Sequence, residues 1–423
     1  MVKKLLMIAF HFPPLRGSSG IQRTLKFAQY LPANGWTPLV LSAHPRAYAE
    51  VGDDLLADIA PGAVVRRAFA LDSSRHLAIK GRYTRWLALP DRWISWLLGA
   101  VPSGLKLVRQ HRPAVIWSTY PIATAHLIGL VLHRLTGIPW VADMRDPMSD
   151  NYYPLDPFLH KVYRRLENQV ITSCSKVVCT TPGAIEAYRA RFPQLPATHF
   201  ALIENGYDEA SFAEAGAAPT APTAPAAPAA PQGRFTLDHS GLIYPLERDP
   251  IALFDALAAL QVQGVIDGAR FQLVLRGSGH DAYLRGLIEE RAIAGLVTLA
   301  PQLAYRDALR AMMDAHALLL LQAANCNHQI PAKLYEYLRA GRPVLALTDP
   351  AGDTARALSS AGIDTMAKLD DKQAIMACLV GFMQAVRDGT APRATPASVQ
   401  ASSRAARAAQ LAMLLDDVVA AKL

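Results

Sequence analysis

Short apolar runs alternate with amphipathic stretches along most of this chain. Residues 4–10 read as a continuous apolar run, the pattern of a strand buried on both faces. A turn-rich loop, Pro13-Pro-Leu-Arg-Gly-Ser-Ser-Gly20, follows it. A helical period then begins near Ile21, with Ile21, Leu25, Ala28 and Leu31 on one face and Gln22, Arg23, Lys26 and Gln29 on the other. Asn34-Gly35 closes that helix, and residues 38–42 form the next strand. Strand, glycine loop, helix and strand in this order open a parallel α/β sheet. The alternation continues with strands predicted at 114–118, 139–142, 176–180 and near 200–203, and helices at 122–135 and from Pro182 to about Arg191. The strand at 139–142 runs into Asp143-Met-Arg-Asp-Pro147, and the one near 200–203 into Glu204-Asn-Gly-Tyr-Asp208.

A compositional break comes next. Pro219, Pro222, Pro225, Pro228 and Pro231 recur every third residue in an Ala/Thr background. Polyproline II also has three residues per turn, so this stretch predicts a semi-rigid spacer. Beyond it the α/β alternation resumes, with strands at 234–240, 271–276, 297–300 and 317–322 and helices at 250–262, 305–313 and from Gly279 to about Ala292. Pro331 opens a further helix carrying Lys333 and Glu336, Gly341 stops it, and a buried strand starts at 342–346. A final Ala-rich helix covers 399–421. The expected fold class is α/β, two Rossmann-like doubly wound domains facing across a cleft. The boundaries read 1–214 for the first domain, 215–232 for the Pro/Ala-rich linker, 233–395 for the second domain and 396–423 for the C-terminal helix.

Composition narrows the function classes. Hydrophobic residues make up 51% and charged ones 18%, which suits folded domains rather than disorder. No apolar run reaches the roughly 18 residues of a membrane-spanning helix. The N-terminal run is short and is followed by His11-Phe12-Pro13-Pro14, so it reads as a strand and not a signal peptide. Cys174, Cys179, Cys326 and Cys378 show no metal-ligand spacing and no disulfide framework, which predicts a cytoplasmic protein with reduced thiols and no metal site. The net charge of +8 asks for an anionic partner. Between Arg66 and Arg112 ten Arg or Lys face only Asp72 and Asp91, an excess equal to that of the whole chain. Trp86, Trp93 and Trp96 lie in the same window, a combination that suits an anionic membrane surface, the inner face of the membrane; a solvated basic face over core tryptophans is the other reading. No nucleic-acid-binding module accompanies the charge, so no nucleic acid partner is expected.

Four segments, taken together, resemble the retaining glycosyltransferases of the GT-B fold, family 4. They are Phe12-Pro-Pro…Gly17-Ser-Ser-Gly20, Glu204-Asn-Gly-Tyr-Asp208, Gly277-Ser-Gly279 and Pro331-Ala-Lys-Leu-Tyr-Glu-Tyr…Ala340-Gly-Arg-Pro343. The resemblance implies a nucleotide-sugar donor on the second domain, an acceptor on the first, no obligatory metal or cofactor, and a last helix that crosses back to the first domain. It also implies that Glu336 holds the ribose hydroxyls, a role for which an ionised carboxylate has two acceptor oxygens. Lys333, Arg248 and Arg276 are the candidates for the diphosphate, beside the Gly277 and Gly279 turn. Gly17, Ser18, Ser19 and Gly20 form the candidate phosphate and acceptor loop, since free backbone amides at a helix start attract anions. Arg145 and Asp146 are the candidate catalytic pair, orienting the acceptor or the reacting sugar. His126 reads as a packed core histidine, and the Asp143-Met-Arg-Asp146 segment as an internal ion pair in the alternative reading.

The chain departs from the family pattern in three places. His328 stands where relatives carry a glutamate eight residues before Glu336, no lysine occurs from Arg234 to Ala332, and no histidine lies near Arg145-Asp146. The leading expectation is a glycosyltransferase acting on a glycan or lipid-linked acceptor in surface polysaccharide or glycolipid synthesis. A nucleotide-sugar epimerase and a catalytically silent sugar-nucleotide-binding protein are the alternatives.

Overall fold

The structure, a computed structural model, describes residues 3–17, 20–149, 154–217 and 233–422. Ser18 and Ser19 of the glycine-flanked loop and residues 218–232 of the expected linker lie outside the described residues. The chain divides into two units, Met1–Asn205 with Arg404–Leu423, and Gly206–Ser403.

The first unit is built on a parallel sheet of β1 (Lys3–Ile8), β2 (Trp36–Ala43), β3 (Val64–Ala68), β4 (Val115–Thr119), β5 (Trp140–Arg145), β6 (Lys176–Cys179) and β7 (Phe200–Leu202). Their order across the sheet is β3-β2-β1-β4-β5-β6-β7, so the direction of winding reverses between β1 and β4. Central position explains the continuous apolar run: Leu5, Leu6, Met7 and Ile8 of β1 are wholly buried. The helix Gly20–Tyr30 follows the glycine loop as expected, yet its polar flank is not solvated. Gln22, Arg23 and Lys26 are buried, because the helix packs against Arg404–Ala420 and each cation finds an internal acid.

The second unit repeats the plan with β8 (Phe235–Ser240), β9 (Phe271–Arg276), β10 (Val297–Ala300), β11 (Ala317–Leu321), β12 (Val344–Leu347) and β13 (Met366–Ala367), ordered β10-β9-β8-β11-β12-β13 and all parallel. The two-residue period of a strand splits the core between its faces. Leu319 and Leu321 join Phe254, Leu257 and Phe382 on one side, while Leu318 and Leu320 join Leu309, Leu334 and Tyr337 on the other. The result is two parallel Rossmann-like α/β sheets, as the alternation predicts.

Two differences in extent have clear local causes. The helix Glu209–Ala217 packs with Tyr305–Asp314 through Phe212 and Ala215, so residues 206–217 fall in the second unit, where 206–214 were expected in the first domain and 215–217 in the linker. The C-terminal helix is not continuous: Pro396–Ala401 and Arg404–Ala420 are separated at Ser402-Ser403. There the Ser402 hydroxyl bonds back to the Ser398 carbonyl, and the Tyr207 amide takes the Ser402 carbonyl, ending the first helix. The second helix belongs to the first unit.

Candidate active site

In doubly wound sheets, ligands settle outside the strand carboxyl ends where the winding reverses. In the second unit that point lies between β8 and β11. His239, near the end of β8, is completely buried and bonds through Nδ1 to the Leu319 carbonyl of β11 at 2.9 Å. A carbonyl only accepts, so Nδ1 carries the proton and Nε2 keeps its lone pair. Lys333, first residue of the helix Lys333–Ala340, lies 3.0 Å away and donates to that Nε2. Burial, followed by the charges of Lys333 and Arg248, keeps the His239 ring neutral. Burial and the Arg248 guanidinium also pull the Lys333 ammonium well below its ordinary pKa, with Glu336 opposing them.

Lys333 and Arg248 therefore stand together beside the loop that leaves β8, two basic groups whose mutual repulsion exceeds the opposing pull of Glu336. Gly241 in that loop has φ of +106°, and a Cβ there would lie 3.2 Å from Lys333 Nζ. The close approach leaves the loop backbone open to whatever the ammonium holds. Arg248 is anchored by Nη1 donating to the Leu242 carbonyl at 2.9 Å and by stacking over Tyr244. The Gly277–Gly279 turn after β9 packs on the same loop. Ile243 N donates to the Ser278 carbonyl, and a Cβ on Gly279 would lie 2.5 Å from Leu242 Cδ2.

One turn along the 333–340 helix, Glu336 Oε1 accepts from the Tyr305 hydroxyl at 2.9 Å, which fixes the carboxylate's direction. Tyr337 closes the floor: its buried hydroxyl accepts from the Ser240 amide. Arg276 stands apart from this group. Its Nε lies 3.9 Å from Asp238, so the guanidinium already faces a carboxylate. Of the sequence-predicted donor residues the structure gathers Lys333, Arg248, Glu336, Gly277 and Gly279, and gives Arg276 a competing partner. It adds His239 and Tyr305, whose only sequence signal was a polar pair, Asp238-His239, inside an apolar strand.

Burial raises the Asp238 carboxyl to about 6, with Arg276 pulling the other way. An acid whose folded pKa lies above its unfolded value stabilises the fold at low pH, and that contribution is lost as pH rises through about 6. The shift corresponds to about 3 kcal/mol. Native-state hydrogen exchange of β8 and β9, corrected for intrinsic rates, is expected to show lower opening free energy above pH ~7 than below pH ~4. Asp238→Asn is expected to flatten that dependence.

In the first unit, the reversal point is flanked by His11 after β1 and by Thr119 and Tyr120 at the end of β4. Gly17 takes φ of +75° and Gly20 is the first residue of its helix. Asp143 on β5 is wholly buried, and its partner is Arg23 on the first helix. The pair is bidentate, Nη2 to Oδ1 at 2.7 Å and Nε to Oδ2 at 3.0 Å, with Thr119 Oγ1 adding 2.7 Å. Arg23 also donates to the Ile203 and Glu204 carbonyls. The strand register shifts between Asp143 and Arg145, and Arg145 has φ of +57°. That kink turns Arg145 toward Tyr120, whose carbonyl accepts from Nη1 at 3.3 Å, and leaves its buried Nε without a hydrogen bond. Burial lowers the Arg145 pKa, Asp146 opposes it, and Arg23 adds to it. Burial and the Arg145 guanidinium push His11 down to about 3, so that ring is neutral. His126 is a packed histidine, bonded to Ser118 at 2.7 Å and pushed by burial to about 4.

Comparison with known proteins bears on the fold. Residues 19–206 match the family model described as a glycosyl transferase 4-like domain. In structure, the chain is similar to sucrose-phosphate synthase from Thermosynechococcus elongatus, at 16% identity and TM-score 0.66, covering 99% of this chain and 100% of that one. It is also similar to HepE from Anabaena, solved in complex with UDP, at 14% identity and TM-score 0.63, covering 98% and 100%. A UDP-GlcNAc 2-epimerase from Neisseria meningitidis bound to UDP-GlcNAc shares the fold at 11% identity and TM-score 0.56, covering 98% and 100%. No curated protein matches. The first unit thus carries a match to a glycosyl transferase 4-like domain, and the whole chain has the two-sheet fold of GT-B glycosyltransferase structures.

Proposed function

We propose that the protein moves a sugar from a nucleoside diphosphate sugar to a glycan or lipid-linked acceptor, with retention, in surface polysaccharide or glycolipid synthesis on the cytoplasmic side. The observation that carries this reading is the Lys333 and Arg248 charge pair beside the Gly241 loop, one helical turn from Glu336. The diphosphate lies against the two cations, and Glu336, held by Tyr305, takes the ribose hydroxyls. As the bond from the anomeric carbon to phosphate breaks, negative charge grows on the phosphate oxygen. Fixed cations stabilise that charge more in the transition state than in the ground state. The acceptor oxygen bonds to the anomeric carbon on the face the phosphate leaves, and its proton passes to the departing phosphate oxygen. No protein base is needed. Two side-chain cations serve the leaving group, so activity is expected to persist in EDTA.

Arg145 and Asp146 orient the acceptor or the sugar, and Gly17, Ser18, Ser19 and Gly20 serve as the phosphate and acceptor loop. Arg276, already facing Asp238, contributes least to the diphosphate. The fold likeness to a UDP-GlcNAc 2-epimerase sustains a second reading, isomerisation of the donor. Nucleotide release that depends on added acceptor supports transfer, whereas isomerised donor without acceptor supports the epimerase. Glu336→Ala is expected to weaken binding of UDP and of the donor sugar about tenfold, the loss of a charge-assisted contact of roughly 1.5–3 kcal/mol. Unchanged donor affinity and turnover in that variant would show that the carboxylate is not in the site.

A further inference from the structure

The basic window of the first unit separates into two parts. Arg67 donates to the Pro13 carbonyl and Arg75 to the Tyr48 carbonyl, while Arg92 lies 3.4 Å from Asp72. Trp96 is wholly buried and Trp93 half-buried. These groups serve the protein's own structure. Residues 79–87 do not: each of the nine is exposed, with Ile79 at 79% and Trp86 at 75%.

A second stretch joins them. Leu155, just before the helix Pro157–Ser173, is 78% exposed, and Phe158 in its first turn is also exposed. The Trp86 and Phe158 rings meet edge to face with centroids 6.1 Å apart. The Arg85 guanidinium lies 4.2 Å over Phe158 and pairs with Asp156. The two stretches thus present one surface, with apolar tips that no core among the described residues of this unit covers. Isolated exposed apolar residues are ordinary, but a cluster of this kind marks a contact surface.

Charge identifies the partner. Lys80, Arg82 and Arg85 lie in the first stretch, and Lys161 and Arg165 share a helix face with Phe158. Within residues 79–87 and 155–165 the one acid is Asp156, already engaged by Arg85. Protruding Trp, Ile and Leu ringed by Arg and Lys match the interface of an anionic bilayer, where Trp sits at headgroup depth and cations meet phosphates. We propose that Ile79, Trp86 and Leu155 insert into the surface of an anionic membrane while Lys80, Arg82, Lys161 and Arg165 lie on its phosphates. The docking is peripheral: among the described residues no helix is long and apolar enough to cross a membrane. It deepens the lipid-linked-acceptor reading and rests on it for its purpose, which is to hold the first unit where such an acceptor is displayed.

The test is flotation of the full chain with vesicles of phosphatidylcholine alone or with about a quarter phosphatidylglycerol, beside UDP binding on the same samples. The wild type is expected to float with the anionic vesicles only. Ile79→Ser with Trp86→Ser and Leu155→Ser is expected to lower partitioning at least about tenfold, and Lys80→Ser with Arg82→Ser by a similar factor. UDP binding should be unchanged in both variants, since every substitution is at an exposed position of the first unit. Equal flotation on neutral vesicles, no flotation, or undiminished flotation of the triple variant overturns the proposal. Loss of UDP binding in the wild type would instead overturn the donor-site reading.

Discussion

Replacing Arg23 with methionine is expected to destabilise the first unit by about 3–5 kcal/mol, the cost of leaving a buried charge without its partner. Asp143 is wholly outside solvent and accepts two bonds from Arg23 against one from Thr119. The same guanidinium satisfies the Ile203 and Glu204 carbonyls, so four acceptors are served by one side chain. Methionine fills much of the volume and donates to none of them. Tryptophan fluorescence measures this unit selectively, because all six tryptophans, at 36, 86, 93, 96, 117 and 140, lie within residues 1–205. The urea midpoint of that signal should fall sharply in Arg23→Met. It should recover partly in the double variant with Asp143→Leu, where no unpaired charge remains. A double variant no better than the single would mean that the lost carbonyl contacts, and not the stranded carboxylate, dominate.

That pair shows where sequence reading stopped. The strand and helix alternation was legible because each element declares itself within a few residues: the apolar run of β1, the stop at Gly341, the Leu run of β11. Partnership across the sheet has no such local mark. Arg23 and Asp143 meet because β1 and β4 are adjacent at the reversal point with β5 alongside, an arrangement that follows from topology and not from spacing. Periodicity placed Arg23 on the polar face of its helix and left Asp143 within an acid-flanked segment, with nothing to say that the two meet. His239 and Lys333 are likewise brought together by β8 lying beside β11. The basic window gave the right sum of charges but not their use. Only coordinates separate Arg67, Arg75 and Arg92, turned inward, from the exposed 79–87 stretch. The proposed donor group was the most readable as a local cluster, since Lys333, Glu336 and Gly341 share one short helix and its stop.

Lys333→Met is expected to lower kcat/KM for the nucleotide sugar by about a hundredfold, near the upper end for one charge-assisted contact strengthened in the transition state. Affinity for UDP should fall by a smaller factor, since the ground state carries less charge on the departing oxygen. The ammonium's surroundings supply an independent reading of the same contact. In the free protein, burial and Arg248 hold the Lys333 pKa well down, and His239 offers only a neutral nitrogen. A bound diphosphate brings negative charge to that position and favours the protonated form. A group whose pKa rises on binding takes up protons at any pH between its free and bound values. Titration calorimetry of UDP in two buffers of different ionisation enthalpy should therefore show net proton uptake, which Lys333→Met abolishes. Removing Arg248 separates the two cations, because Arg248→Ala loses a phosphate contact yet relieves the depression of Lys333. It is expected to weaken UDP binding about tenfold while reducing the proton uptake. Proton uptake that survives in Lys333→Met would place the titrating group elsewhere, and unchanged UDP affinity in both variants would remove the diphosphate from this corner of the sheet.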